Sequence, residues 1–127
     1  MVKTILVVDD YQDILLSIKS VLEDSTGDYH VIGVDSGEKC LQILHDNQIP
    51  DLILLDIMMP GMNGWDVAAR IKENEKWSNV PIVFLTAVGD DMSAGIGHLI
   101  SEDYIVKPFD IIKLKECVQR ILTAPSA

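Results

Sequence analysis

Four short apolar runs in this chain each end at a polar residue, and this pattern constrains the fold more than any other feature. ILVV precedes Asp9 and Asp10, LILL precedes Asp56, IVFL precedes Thr86, and YIV precedes Lys107. Runs that are apolar throughout and rich in β-branched residues are typical of strands buried on both faces of a parallel sheet. If these strands are neighbours, all five polar side chains meet at one edge of the sheet.

Helical patterns alternate with the strands along the whole chain. Ser36 is a candidate N-cap for the second helix, and Asp110 for the last one. Gly95 and Gly97 weaken the helix expected between the fourth and fifth strands. Strict alternation of strands and helices indicates right-handed βαβ units, and therefore a doubly wound parallel sheet with helices on both faces. The predicted strands cover residues 4–8, 30–34, 52–55, 82–85 and 104–106, and the predicted helices cover residues 14–22, 39–46, 65–71, 89–101 and 111–122.

Composition narrows the class of protein. A length of 127 residues suits one domain, and a formal net charge of −10 argues against non-specific binding to nucleic acid or to an acidic membrane surface. No apolar run approaches the roughly 20 residues of a membrane helix, and the N-terminus lacks the pattern of a signal peptide. These features predict a cytoplasmic protein whose partners are other proteins. Cys40 and Cys117 have no metal-ligand or redox spacing, so we interpret them as buried apolar residues.

The acidic residues predict a metal site. Ligands of open α/β sheets bind beyond the carboxyl ends of the strands, where Asp9, Asp10 and Asp56 are expected. Three carboxylates without a histidine or thiolate suit Mg²⁺ or Mn²⁺ better than zinc. The backbone carbonyl of Met58, in the loop that follows, is a further candidate ligand. The alternative for the first pair is that one of the two acids only caps the first helix.

Phosphoryl chemistry explains the remaining polar residues. A carboxylate at the end of a central strand, beside a divalent cation, can attack phosphorus, so Asp56 is the candidate nucleophile. Lys107 offers a fixed positive charge for a phosphoryl oxygen or for the Asp56 carboxylate, and Thr86 offers a hydroxyl. A phosphoryl group would change the charge of the site, and we expect a reversible switch here rather than a turnover site.

These motifs, in this order, resemble the receiver domain of two-component response regulators. The resemblance extends from ILVVDD through LILLDIMMPGMNGW and PIVFLTA to DYIVKPF. It implies a CheY-like, stand-alone receiver domain over residues 1–124, with a disordered tail at 125–127. The implied fold is flavodoxin-like, with five parallel strands in the order 2-1-3-4-5.

The resemblance also implies a role for each motif residue. Asp56 would accept a phosphoryl group from a sensor histidine kinase or a phosphotransfer protein, with Mg²⁺ held by Asp9 and Asp10. Thr86 would contact the phosphoryl group, Lys107 would pair with it, and Tyr104 would turn inward as the switch aromatic. The implied protein is a regulatory phosphoacceptor rather than an enzyme. It would act on a downstream protein effector as a monomer or as a phosphorylation-dependent dimer.

Several positions depart from the family pattern or tune it. Ile100 and Ser101 stand where many members have Gly-Ala. Because residues 89–101 contain Gly95 and Gly97, the geometry of the output surface that this helix usually forms is not carried over from the family. Met58 and Val88 occupy positions that tune phosphoryl lifetime, and neither side chain can orient a hydrolytic water.

Three alternatives fit part of the pattern. A hydrolase or mutase that forms an aspartyl phosphate commonly has a second Asp two residues after the nucleophile, where this chain has Met58. A flavin-binding module needs a loop rich in Ser, Thr and Gly after the first strand, where this chain has DDYQD. A degenerate receiver used as a scaffold would not need the complete set of acids, Thr86 and Lys107.

Overall fold

Five parallel strands form a single sheet in the order β2-β1-β3-β4-β5, as the resemblance to receiver domains implies. The computed structural model describes residues 2–87, 103–107 and 110–123. The helix expected over residues 89–101 lies outside this range. The strands are β1 (Lys3–Val8), β2 (Tyr29–Val34), β3 (Leu52–Asp56), β4 (Ile82–Ala87) and β5 (Asp103–Lys107), and the helices are α1 (Gln12–Thr26), α2 (Gly37–His45), α3 (Gly64–Glu73) and α4 (Ile111–Thr123).

Helices cover both faces of the sheet, because successive side chains of a strand point to opposite faces. On one face, alternate residues of the strands pack against α2 and α3, and on the other face their neighbours pack against α1 and α4. In β1, for example, Leu6 and Val8 belong to the first cluster and Ile5 and Val7 to the second. Continuous apolar strands are therefore explained by burial on both sides.

Side-chain caps set the starts of three helices. Ser36 Oγ accepts from Lys39 N at 3.2 Å and Asp110 Oδ1 accepts from Ile112 N at 2.8 Å, so both predicted caps are confirmed. Asn63 caps α3 in the same way, with its Oδ1 accepting from Asp66 N at 3.0 Å. Helix α1 extends to Thr26, beyond the predicted 14–22, because the apolar pattern marks only the stretch that is buried.

Strand register determines where the polar residues lie. Val8 pairs with Leu55, Asp56 pairs with Leu85, and Ala87 pairs with Lys107. The strands are parallel, so their carboxyl ends lie at the same edge of the sheet. Among the described residues, no helix is long and apolar enough to cross a membrane.

Candidate functional site

Three carboxylates meet where β1 and β3 end. Asp9 and Asp10 directly follow β1, and Asp56 is the last residue of β3. One carboxylate oxygen from each lies within 4.8 Å of the others. Asp9 and Asp56 are buried, with only 0% and 2% of their surfaces exposed. The acidic cluster that the sequence predicts is therefore present.

Asp9 contacts both the start of α1 and the acidic cluster. Its Oδ1 accepts a hydrogen bond from Tyr11 N at 3.0 Å, at the start of α1. Its Oδ2 lies 2.7 Å from Lys107 Nζ, inside the cluster. The residue at the N-cap position itself is Tyr11, whose side chain makes no capping hydrogen bond. One carboxylate thus fixes the strand-to-helix turn and also contributes charge to the site.

Lys107 brings a positive charge to the acids from the edge strand β5. Its Nζ lies 3.3 Å from Asp56 Oδ1, in addition to its contact with Asp9. Only 16% of the lysine side chain is exposed, so this ion pair is largely shielded from solvent. A solvated surface lysine, the ordinary alternative, is therefore excluded.

Burial and like charge shape the protonation of the site. The pKa of the Asp56 carboxyl is raised from 3.8 to about 6: burial is the largest cause, the charge of Asp9 adds to it, and Lys107 partly offsets both. For Lys107, burial alone would lower the ammonium pKa. Its contacts with Asp9 and Asp56 outweigh burial, so that the pKa is raised. The two acids therefore favour the charged form of Lys107. The single charge of Lys107 does not fully offset the effects of burial and of Asp9 on the ionised Asp56 carboxylate.

The donor set fits a hard divalent cation. Within the described part of the chain, Asp10 Oδ1 and Asp56 Oδ2 are buried and accept no hydrogen bond. Buried carboxylate oxygens without a partner carry a large desolvation cost. Three carboxylates against one ammonium leave a formal charge of about −2, which one divalent ion would neutralise. An all-oxygen set of this kind suits Mg²⁺ or Mn²⁺.

The loop after β3 is held close beneath Asp56. Ile57 N donates to Leu85 O at 3.2 Å, and Gly64 N donates to Ile57 O at 2.8 Å. A Cβ at Gly64 would lie 2.3 Å from the Asp56 carbonyl oxygen, so only glycine fits the first position of α3. The sequence alone does not reveal this role of Gly64, because the close approach is a tertiary contact. Met58, with its side chain exposed to solvent, stays a predicted carbonyl ligand.

Thr86 and Tyr104 lie on neighbouring strands, with Thr86 near the carboxyl end of β4 and Tyr104 near the start of β5. Thr86 is buried in β4 beside Val106, and Tyr104 pairs with Phe84 in β5. Since side chains alternate along a strand, Phe84 and Thr86 share one face, as do Tyr104 and Val106. Tyr104 is partly exposed, and its switch role stays a prediction. Val88, Ile100 and Ser101 lie outside the described residues.

Sequence reasoning also missed Tyr11. Its ring centroid lies 6.0 Å from Lys107 Nζ, and the residue is largely exposed beside the buried acids. Its position directly after Asp10 is the signal that could have identified it.

Curated response regulators resemble this chain over most of its length. DNA-binding response regulator MtrA of Mycobacterium leprae is 42% identical over 118 residues, which are 92% of this chain and 48% of MtrA. Transcriptional regulatory protein YvrH of Bacillus subtilis is 38% identical over 112 residues, 87% of this chain and 45% of YvrH. The chain thus spans about half the length of these curated relatives.

Solved structures share the fold over nearly the whole chain. A CheY-like receiver domain protein from Methanospirillum hungatei is 36% identical with a TM-score of 0.81, covering 94% of this chain and 93% of that one. Chemotaxis response regulator CheY4 of Vibrio cholerae is 25% identical with a TM-score of 0.85, covering 96% of this chain and all of the other. These neighbours confirm the predicted CheY-like, flavodoxin-like fold.

The family assignment follows from the match over residues 5–119 to the response regulator receiver domain. That match includes the three acids, Thr86 and Lys107 in the order predicted. Receiver domains are regulatory rather than enzymes in the usual sense, and they generally bind Mg²⁺ through an acidic pocket. This chain belongs to the receiver domain family of two-component response regulators.

Proposed function

We propose that Asp56 is the phosphoacceptor of a two-component phosphorelay, and that its phosphorylation switches protein–protein contacts. The observation that carries this proposal is the position of Asp56 at the end of the central strand. It is buried between the acids of β1 and the ammonium of Lys107, at 3.3 Å. Among the described residues, Asp56 Oδ2 has no hydrogen-bond partner, which leaves this oxygen available to react.

The side chains of the cluster then bind the metal ion and the phosphoryl group. Asp9 and Asp10 hold Mg²⁺ together with Asp56, and the Met58 carbonyl is the further candidate ligand. Bound Mg²⁺ would lower the repulsion between the carboxylates and an incoming phosphoryl group. Lys107 pairs with Asp56 before the reaction and with a phosphoryl oxygen after it.

Thr86 is the residue that responds to phosphorylation of Asp56. Its buried position in β4, one residue beyond the partner of Asp56, supports contact between its hydroxyl and a phosphoryl group. Tyr104 lies on the adjacent strand and is 38% exposed. We infer that movement of the Thr86 side chain is followed by the ring of Tyr104, as in a two-state switch.

The donor that we propose is a phosphohistidine on a sensor histidine kinase or a phosphotransfer protein. A receiver domain of a signal transduction histidine kinase from Syntrophus aciditrophicus has the same fold, with a TM-score of 0.82 and 27% identity. MtrA is DNA-binding by its name, but this chain corresponds to 48% of it. We propose that phosphorylation of this receiver domain acts through contacts with a downstream protein.

An aspartyl-phosphate hydrolase is the less favoured alternative. Such an enzyme commonly has a second Asp two residues after the nucleophile, and here that position is the exposed Met58. Nothing at that position can protonate a leaving group or activate water.

Phosphorylation by a small donor tests the proposed function directly. The protein is incubated with phosphoramidate and MgCl₂, and its intact mass is measured. Wild type should gain one phosphoryl group, whereas Asp56→Asn should gain none. EDTA should suppress the reaction of wild type. An unmodified wild type, or equal labelling of the Asn variant, would overturn the assignment of Asp56.

A further inference from the structure

The ring of Tyr11 lies at the solvent-exposed side of the acidic site. Tyr11 is 63% exposed, whereas Asp56 is buried. The ring centroid lies 6.0 Å from Lys107 Nζ, and that nitrogen lies 3.3 Å from Asp56 Oδ1. Because these distances are 6.0 Å and 3.3 Å, the ring centroid lies no more than about 9.3 Å from Asp56 Oδ1. A small molecule that reacts at Asp56 therefore comes within reach of the ring.

The backbone holds Tyr11 in this place although its side chain is exposed. Tyr11 N donates to Asp9 Oδ1 at 3.0 Å. Its carbonyl oxygen accepts from Ile14 N at 3.1 Å and from Leu15 N at 3.2 Å, at the start of α1. Tyr11 belongs to neither core cluster, so its ring is not needed to fill the interior. A ring anchored at the site, but unused by the core, is available to contact a ligand.

We propose that Tyr11 is a specificity-determining residue that contacts the leaving group of the phosphodonor and favours donors whose leaving group is an aromatic ring. The proposal rests on the proposed function of Asp56. Aromatic rings interact favourably at centroid separations of 4.5–7 Å, in offset or edge-to-face geometry. An imidazole that departs toward the mouth of the site lies on the side where the Tyr11 ring stands.

The transfer step has a defined course with such a donor. An oxygen of the Asp56 carboxylate forms a bond to phosphorus while the bond from phosphorus to the ring nitrogen breaks. The electron pair of the broken bond leaves with that nitrogen. When the other ring nitrogen carries a proton, the departing group is neutral imidazole. Attacking and leaving atoms lie roughly in line, so the ring points away from Asp56 and toward solvent.

Two small donors separate the effect of the ring from the chemistry of transfer. Phosphoramidate releases ammonia, which has no ring, and monophosphoimidazole releases imidazole. The rate constants of Asp56 phosphorylation with each donor are measured in saturating MgCl₂, and their ratio is compared among variants. Tyr11→Ala and Tyr11→Leu remove the aromatic ring, Tyr11→Phe retains it, and Leu16→Ala alters an equally exposed apolar residue of α1.

The expected result is a loss of donor preference confined to the non-aromatic variants. The monophosphoimidazole-to-phosphoramidate ratio should fall about threefold to tenfold in Tyr11→Ala and Tyr11→Leu, the size of one aromatic contact. It should stay at the wild-type value in Tyr11→Phe and Leu16→Ala. A wild-type ratio in Tyr11→Ala or Tyr11→Leu would overturn the inference while leaving Asp56 as phosphoacceptor. Failure of both donors to label wild type would instead refute the proposed function, and this inference with it.

Discussion

Replacing Asp56 with Asn should stabilise the metal-free protein at neutral pH, even though it removes the proposed phosphoacceptor. Burial and the charge of Asp9 raise the pKa of this carboxyl from 3.8 to about 6. A shift of roughly two units corresponds to about 3 kcal/mol of unfavourable free energy in the ionised, folded protein. Asn has nearly the same shape and carries no charge. Some of the gain is offset by the lost contact with Lys107, so we expect about 1–3 kcal/mol.

The pH dependence gives the sign of the effect. Because the pKa of Asp56 is higher in the folded state, the folded protein binds this proton more tightly than the unfolded chain. Wild-type stability therefore falls as pH rises from about 4 to about 6, and the penalty is fully present above that range. The Asn variant lacks this group, so its advantage should be small near pH 4 and complete at pH 7.5.

Urea unfolding followed by tryptophan fluorescence measures the difference. Trp77 is buried and Trp65 packs against the core, so both should report the loss of the fold. Wild type, Asp56→Asn and the exposed-acid control Asp46→Asn are compared in EDTA at pH 4 and 7.5. The control should change by less than about 0.5 kcal/mol. An Asn variant that is no more stable than wild type at pH 7.5, or whose advantage is the same at both pH values, would refute the reasoning.

Three further variants test the supports of the site by the same unfolding assay. Gly64→Ala should lower the free energy of unfolding by about 2–3 kcal/mol, because its Cβ would overlap the Asp56 carbonyl. A loss below about 0.5 kcal/mol would show that the loop adjusts to the added methyl group. Lys107→Met should lower the free energy of unfolding by about 2 kcal/mol or more. It should also raise the Asp56 pKa above its wild-type value, as measured by carboxyl NMR titration, and an unchanged pKa would contradict the ion pair. Asp110→Ala should cost about 1 kcal/mol through loss of its cap, whereas Asp110→Asn should retain most of the stability; equal losses in both would contradict the cap.

Mg²⁺ should stabilise wild type by binding to the folded state only. At 100 times the dissociation constant, a single site adds about 2.7 kcal/mol to the free energy of unfolding. Asp10→Asn should lose most of this increment, because it removes a buried carboxylate oxygen that has no hydrogen-bond partner among the described residues. The exposed Asp46→Asn should keep it. Equal Mg²⁺ effects in all three proteins would place the ion elsewhere.

The sequence alone determined the strands, their parallel arrangement and the identity of the acidic cluster. Strands buried on both faces leave an unbroken apolar signal, and a polar residue after such a run must lie at the strand end. That logic located Asp9, Asp10, Asp56, Thr86 and Lys107 without coordinates. The caps Ser36 and Asp110 were equally accessible, because a cap depends only on residues within one helical turn.

Tertiary structure decided how these residues meet. The reach of Lys107 from the edge strand to two acids, the dual contacts of Asp9 and the raised pKa of Asp56 depend on distances between segments far apart in the chain. The requirement for Gly64 and the position of the Tyr11 ring depend on the same packing. Local patterns encode which face a residue occupies, whereas distances across a sheet follow from register and burial. The sequence therefore predicted the members of the site, and the fold established their contacts and charges.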